Sequence, residues 1–261
     1  MNSAVATPVD VKLMNTTAAV LFMAFVGLVA VAAGRWVARQ PVFELQGVTV
    51  SGDLTHNNAA TLRVNVASRL TGTFFTVNLA QVRAAFEAVP WVRRATVRRE
   101  FPNRISVVLQ EHQAVAYWED EESLRLINSY GEVFEANVGE VEQDSLPRLS
   151  GPDGEGAEVL AMYRDLAPQF QAMGLVLEQL ELTGRGSWRG ETDSGASVEM
   201  GRGSLADVDA RVQRFLKTLT QVTSRYGRQL QAIESADLRH ENGYAIKLRG
   251  VTTLAADEKR K

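Results

Sequence analysis

The chain has 261 residues, a formal net charge of −3 and no cysteine. This length allows one or two domains beyond any targeting segment, and the lack of cysteine excludes disulfide bonds, thiolate metal sites and cysteine nucleophiles. Because charges of both signs are mixed along the chain, the composition gives no support to nucleic-acid binding, and we expect none.

A long apolar stretch lies near the N-terminus. Residues 18–33 carry no charge, and Thr16 and Thr17 extend the run. At ~1.5 Å per residue, a helix of this length nearly spans the ~30 Å core of a bilayer. Arg35 and Trp36 follow the run and suit a membrane–water interface. We predict a transmembrane helix over residues 16–37, behind a short cytoplasmic tail at residues 1–15, with the remainder exported.

Two alternatives to the membrane anchor stay open. Ala30-Val31-Ala32 fits the cleavage site of a signal peptide, and a buried core helix is the third possibility. Lys12 is the only basic residue before the run, so the positive-inside tendency does not favour a cytoplasmic N-terminus.

The segment after the anchor has the element order β-α-α-β-β. We predict a strand from Phe43 to Val50, and a helix from Asn58 to Leu70. A second helix begins after Asn78 and is stopped by Pro90. Two strands follow at residues 91–100 and 104–111, with a turn at residues 101–103 between them.

The second segment combines strands with two helices. The patterns predict eight strands, two helices and a loop, as follows: strands at 114–118, 124–128, 132–134, 177–182, 187–191, 197–200, 232–239 and 244–249, helices at 157–173 and 204–226, and a loop at 146–152. Ser204 and Asp207 form a capping-box pattern at the start of the second helix. We interpret that helix as packed on its own sheet rather than as a coiled-coil seam.

The end of the chain raises the question of an open sheet edge. Asn242-Gly243 predicts a two-residue type I′ turn, and the residues after it alternate between apolar and polar as in a half-buried strand. If that strand is the last of its sheet, its outer edge is open unless something covers it. Residues 251–261 end in a run of five charged residues, 257–261, and we predict a disordered tail.

Residue patterns for catalysis are missing. The three histidines lie too far apart in sequence for a helical metal pair, and there is no G-x-S-x-G motif. The glycine-rich stretches beginning at Gly184 and Gly201 lack the continuation of a phosphate-binding loop, and we interpret both as turns. We therefore expect no enzyme activity, no cofactor, no metal and no small-molecule substrate.

Several motifs, in this order, resemble one family. The most specific runs from Val89-Pro90-Trp91-Val92 through Phe101-Pro102-Asn103 to Glu111. Further along come Leu146-Pro147, then Leu182-x-x-Arg185-x-x-Trp188, and finally Asp237-Leu238-Arg239. The chain is similar to the FtsQ/DivIB family of bacterial division proteins. The resemblance implies an α+β fold, with a β-α-α-β-β POTRA domain at residues 43–112. A second β-rich domain would follow at residues 113–250, with two helices packed on a mostly antiparallel sheet.

The resemblance also implies a function and partners. The protein would be a type II inner-membrane protein of the division septum, a non-catalytic scaffold whose last strand accepts a strand from FtsB, itself paired with FtsL. Its POTRA domain would contact other divisome proteins. Main-chain bonds of residues 244–249 would provide affinity, and Arg185 and Arg239 would bind partner carboxylates. The candidate partner-binding residues are Arg185, Arg239, His240, Tyr244, Ile246 and Leu248, of which Arg239, His240, Tyr244 and Leu248 are expected on an exposed face of the last hairpin. His240 stands where an aromatic residue is common in the family.

Two other functions remain as alternatives. One is a POTRA-containing component of an outer-membrane assembly or secretion system, and the other is a membrane-tethered periplasmic hydrolase.

Overall fold

The structure is a computed structural model that describes residues 9–58, 62, 66, 72–120, 123–141, 146–241 and 243–251. The chain divides into two compact units, Met1–Glu111 and His112–Lys261. The fold is α+β, as predicted. The predicted tail lies outside the described residues from residue 252 onward.

The first unit begins with the apolar helix α1, Val9–Ala38. It is long and apolar enough to cross a membrane, with a mean hydropathy of 2.3 over its most apolar window. The helix begins before the predicted residue 16, because Asp10, Lys12 and Asn15 interrupt the apolar run without interrupting the helix. Phe22 is 67 % exposed and Leu28 is 71 % exposed. Because the apolar surface of α1 is unburied, the buried core helix considered above is excluded.

The remainder of the first unit is a three-stranded sheet with helical cover. Strand β1 is Gly47–Gly52, helix α2 is Leu79–Glu87, and strands β2 and β3 are Val92–Glu100 and Arg104–Glu111. The sheet order is β1-β3-β2, with β1 parallel and β2 antiparallel to β3.

The helical elements of this unit follow the predicted order. Leu62 and Val66 are helical and buried, and the other residues from 59 to 71 of the predicted first helix lie outside the described residues. Asn78 caps α2 by accepting hydrogen bonds from the amides of Ala80 and Gln81. Phe43 belongs to a short 3-10 helix, Pro41–Phe43, so the first strand begins later than predicted.

The second unit is a nine-stranded sheet with two helices on one face. Its strands are β4 Ala114–Glu119, β5 Leu124–Asn128, β6 Val133–Phe134, β7 Arg148–Ser150, β8 Leu177–Leu182, β9 Ser187–Thr192, β10 Ser197–Arg202, β11 Ile233–Asp237 and β12 Ala245–Leu248. Their order is β12-β11-β10-β9-β8-β7-β4-β5-β6. Most neighbours are antiparallel, as predicted, while β7 pairs in parallel with both β4 and β8, and β10 pairs in parallel with β11.

The short strand β7 corrects a prediction. Residues 146–152 were expected to form a loop because proline and glycine flank only three residues of strand pattern. In the structure, Leu149 is fully buried and pairs with Trp118 on one side and Leu180 on the other. Two long neighbouring strands thus impose strand geometry on a segment whose local signals favour a loop.

Helices α3, Gly156–Gln171, and α4, Leu205–Arg225, contact each other and pack on the sheet. Ser204 and Asp207 form the predicted capping box at the start of α4. Val208, Val212 and Phe215 of α4 are buried in the core that the helices share with the sheet. The helix therefore packs on its own sheet, as predicted.

Candidate partner-binding edge

Strand β12 lies at one end of the nine-stranded sheet. It pairs antiparallel with β11, and no other described strand pairs with it. Their pairing runs from Asp237 opposite Ala245 to Ile233 opposite Leu248, with a bulge in β11. Within the described part of the chain, the outer side of β12 is an open edge.

The backbone of β12 presents alternate amides to that edge. The amide of Arg249 donates to the carbonyl of Ala232, the residue before β11, at 2.8 Å, so this amide is directed toward β11. Successive residues of an antiparallel strand alternate in the direction of their backbone bonds. The N–H groups of Ile246 and Leu248 are therefore directed away from β11, toward the open edge, and that of Lys247 is directed toward β11.

The side chains of β12 alternate between the two faces of the sheet, with Ile246 and Leu248 on the face that packs against the core. Leu248 is 5 % exposed and belongs to the core, and Ile246 packs against that core while half-buried. These side chains do not lie on an exposed face, which corrects the prediction for Leu248 in particular. Apolar side chains at every second position turn inward because the helices cover that face of the sheet. Ile246 and Leu248 thus present only backbone groups to the open edge, while their side chains pack against the core.

Tyr244 is held by helix α4. Its ring meets Phe215 edge-to-face at 5.0 Å between centroids, and its hydroxyl lies 2.8 Å from Oγ1 of Thr218. The half-buried ring packs against the core instead of standing on an exposed face. The structure therefore gives Tyr244 a positioning role at the start of β12.

The connection between β11 and β12 is longer than predicted. β11 ends at Asp237 and β12 begins at Ala245, so the two strands are not joined by a two-residue type I′ turn. The amide of Leu238 donates to the carbonyl of Glu199, and Arg239 binds Asp237. The bond to Glu199 keeps the chain beside β10 after Asp237, so the chain turns back toward β12 several residues later than predicted. Asn242 of the predicted turn lies outside the described residues.

Arg239 is oriented by an acidic neighbour that the sequence analysis overlooked. Its Nε and Nη2 donate to the two carboxylate oxygens of Asp237 at 2.9 and 2.6 Å. The hydrogen bonds from Arg239 lower the pKa of Asp237 from its ordinary 3.8 to about 2. A guanidinium has five N–H donors, so this pair leaves donors of Arg239 available to another carboxylate.

Gly201 makes room for the Arg239 side chain. Its φ is +80°, and a Cβ at this position would lie 2.9 Å from Cγ of Arg239. The sequence analysis assigned this glycine to a turn, but it lies in β10 beside a bulge. A bulge and a missing side chain together let Arg239 lie over the sheet.

Arg185 and Arg239 line the same basin, of about 870 Å³. Three more arginines also line this basin: Arg189, Arg202 and Arg211. Arg189 is engaged by Glu181 and Glu199. Arg185 is exposed in the turn between β8 and β9, and no ion pair joins it to another described residue. With one acidic lining residue, Glu199, the basin suits a carboxylate ligand.

His240 is exposed in the loop after Arg239. The predicted site residues thus form two groups. Arg185 and Arg239 share the basin, and Tyr244, Ile246 and Leu248 belong to or precede the edge strand.

The three-stranded sheet has a comparable edge at β2, and there a side chain covers it. The amide of Ala95 donates to Oε1 of Glu87 at 3.1 Å, so this amide points away from β3. Arg83 in turn lies 3.6 Å from the other oxygen of Glu87. A helix residue thus satisfies an outward amide of this edge strand.

Within the described residues, no group of three His, Asp or Glu side chains is arranged to hold a metal ion.

Comparison with known proteins identifies two matching regions. Residues 43–112 match the POTRA domain, FtsQ-type, and residues 116–239 match the C-terminal region of the cell division protein FtsQ/DivIB. The second match ends before β12, so it does not extend over the open edge.

Whole proteins match over nearly the full chain. The cell division protein FtsQ of Burkholderia pseudomallei is 38 % identical over 97 % of this chain and 98 % of its own length. FtsQ of Thiomonas arsenitoxydans is 38 % identical over 94 % of this chain and 89 % of its own. FtsQ of Bordetella pertussis is 35 % identical over 91 % of this chain and 90 % of its own length. These three are named as division proteins, not as the export component or hydrolase considered as alternatives.

Proposed function

The chain belongs to the FtsQ/DivIB family of cell division proteins, and from this membership we propose that it is a non-catalytic scaffold of the divisome. It links early division proteins to the septal peptidoglycan synthesis machinery. It does so by binding FtsB, paired with FtsL, in the periplasm through addition of a partner strand to β12.

The observation that carries this proposal is the open edge of β12. The N–H groups of Ile246 and Leu248 are directed to a side where no described strand lies. An extended segment that pairs there gains main-chain hydrogen bonds, the usual source of affinity in strand addition. The carbonyl of Leu248 already accepts a bond from Val251 at 3.2 Å, so the partner would pair mainly before that residue.

Specificity would come from charge. The loop of Arg239 and His240 directly precedes β12, and Arg239 shares its basin with Arg185. Acidic side chains of the partner would meet the donors that the Asp237 pair leaves on Arg239. Charge-assisted bonds of this kind contribute about 1.5–3 kcal/mol when they are well formed.

Helix α1 supports a membrane anchor. We propose a type II arrangement in the inner membrane, with the N-terminus cytoplasmic and the residues after α1 periplasmic, at the division septum. Residues 43–112, the POTRA unit, would contact other divisome proteins. The unburied apolar surface of α1 supports insertion into a bilayer.

Binding of the full chain, in detergent or nanodiscs, to the periplasmic segment of the cognate FtsB tests the proposal. Ile246→Pro removes an outward amide, and proline is tolerated at edge positions whose N–H faces away from the ladder. Loss of the one ladder bond that this amide would donate, of ~1.4 kcal/mol, predicts roughly tenfold weaker binding.

The matched control is Ile246→Ala, which removes most of the side chain and keeps the amide. It should bind much more tightly than Ile246→Pro once both variants are shown to be folded by circular dichroism. Equal binding by the proline variant and the parent would place the partner elsewhere on the protein.

A further inference from the structure

An exposed apolar patch lies on the POTRA unit beside the end of α1. Val42 and Phe101 are each 76 % exposed, and Phe75 is 48 % exposed. Phe75 meets the rings of Phe43 and Phe74 at 4.8 and 5.1 Å between centroids, and Phe101 meets Phe74 at 6.1 Å, all edge-to-face. We call Val42, Phe75 and Phe101 the apolar patch.

Hydrogen bonds fix the patch to the chain that leaves the helix. Oγ1 of Thr73 donates to the carbonyl of Ala38, the last residue of α1, at 2.7 Å. The amide of Phe74 donates to the carbonyl of Phe43 at 2.8 Å. The turn that carries Phe75 is therefore held within hydrogen-bonding distance of the helix end.

The turn that carries Phe101 is fixed to the same linker. The amide of Gln46 donates to the carbonyl of Asn103 at 3.0 Å. At this end of the sheet, Gly47 pairs with Arg104, while Gly52 and Leu109 pair at the other end, about 16 Å away for five steps along a strand. The patch is thus confined to the end of the sheet nearest the helix.

We propose that the apolar patch lies in the membrane–water interface next to α1, so that the POTRA unit rests on the bilayer. The inference depends on the proposed function in that α1 must cross the membrane. A patch joined to Ala38 cannot be far from the plane where the helix leaves the hydrocarbon, and exposed apolar side chains such as phenylalanine insert into the headgroup–acyl boundary. An apolar patch rimmed by polar residues marks such a contact surface.

The charges near the patch support the lipid interface over a charged protein partner. Arg39 and Glu44 belong to the linker, and Glu100 and Arg104 flank the turn of Phe101. Arg99 also lies beside the patch and donates to the carbonyls of Phe74 and Val77, so charges of both signs surround the patch and the contact would be made by the apolar side chains. One consequence is that the POTRA unit has a restricted orientation on the membrane. The Glu100 end of β2 would lie nearest the bilayer, and the Val92 end would lie farthest from it.

Because the chain has no cysteine, a single reporter can be placed at will. The full chain would carry Arg104→Cys, labelled with an environment-sensitive fluorophore, in vesicles of phosphatidylethanolamine with a minority of phosphatidylglycerol. Asp53→Cys reports from beyond the opposite end of the sheet. We expect blue-shifted emission from the label at residue 104 and emission typical of water at residue 53.

Two further variants attribute the shift to the patch. In the Arg104→Cys background, Val42→Ser with Phe101→Ser should remove the blue shift. Both side chains are largely exposed, so the fold should be retained. Val108→Ser is the matched control, since Val108 is also exposed, at 46 %, but lies near the other end of β3. It should leave the shift unchanged.

Vesicle flotation separates the two levels of the inference. Protein that floats with the vesicles but gives water-like emission at residue 104 overturns the patch contact and leaves the anchor in place. Protein that does not float overturns both. A blue shift that persists in the Val42→Ser, Phe101→Ser variant also contradicts the role of the patch.

Discussion

Strand β2 of the POTRA sheet and strand β12 of the nine-stranded sheet are both edge strands, but their outward amides differ in what they meet. On β2, the amide of Ala95 is bound by the Glu87 carboxylate of the adjacent helix. On β12, no described side chain accepts a hydrogen bond from the outward amides of Ile246 and Leu248.

The comparison shows how one chain can carry an edge that is blocked and an edge that is available. Open edges invite unwanted pairing, and a charged side chain across an edge is one way to prevent it. Glu87 provides such protection at the centre of β2. At β12, the basic side chains of Lys247 and Arg249 are engaged by Glu234 and by the carbonyl of Ser194, and they leave the backbone accessible to a partner strand.

The largest expected effect tests which amides of β12 point outward. Lys247→Pro should remove a ladder bond to β11 and lower the free energy of unfolding by about 2–3 kcal/mol. Ile246→Pro should cost less, about 1–2 kcal/mol from the half-buried side chain that it removes, because its amide has no ladder partner in the free protein. Chemical denaturation of both variants measures the difference.

Lys247→Ala separates loss of the side chain from loss of the amide, since it keeps the ladder bond and gives up only the ion pair with Glu234. If Ile246→Pro were the more destabilising of the two proline variants, the assigned alternation of β12 would be wrong.

The next effect concerns the basic side of the open edge. Arg239→Ala should weaken binding of the FtsB segment by roughly tenfold or more, as expected for one charge-assisted bond of ~1.5 kcal/mol. Arg164→Ala is the control, an exposed arginine of α3 that bonds to the carbonyl of Ser129. Isothermal titration should show a loss only for Arg239, and equal affinities would remove Arg239 from the interface.

At the blocked edge a smaller effect is expected. Glu87→Ala leaves the outward amide of Ala95 without its acceptor and should cost about 0.5–1 kcal/mol of stability. It should also increase self-association in sedimentation experiments, because the edge is no longer covered. Glu87→Gln keeps an acceptor oxygen and should restore both properties. A variant that stays as monomeric as the parent would show that Glu87 does not protect β2.

The smallest effect is a pH dependence at Asp237. Its folded pKa of about 2 lies below its ordinary 3.8, so the Asp237 contribution to stability is present above pH 4 and lost as the pH falls toward 2. Asp237→Asn has no such group to protonate. Its melting temperature should therefore fall less steeply than that of the parent between pH 4 and 2. Parallel curves would contradict the ionised Asp237–Arg239 pair.

Much of the fold was predictable because its signals are local. The capping box of Ser204 and Asp207 and the apolar repeat of α4 specify that helix without reference to the sheet. The alternation from Arg104 to Glu111 likewise specifies β3, whose predicted and observed bounds agree. In each case the residues that decide the structure lie within one element.

The remainder depends on contacts between distant residues. β7 is a strand because Trp118 and Leu180 lie on either side of Leu149, which no local pattern encodes. The pairing of Arg239 with Asp237 spans only two residues, yet its geometry requires the space over Gly201. The cover of β2 by Glu87 requires the packing of α2 against the sheet.

The central claim is that a partner strand pairs with β12, and amide hydrogen exchange of the full chain in nanodiscs, measured by NMR with and without the FtsB segment, tests it most directly. The account predicts that saturating partner slows exchange at Ile246 and Leu248 and leaves Ala95 unchanged. Unaltered exchange at Ile246 and Leu248 in the saturated complex would contradict it.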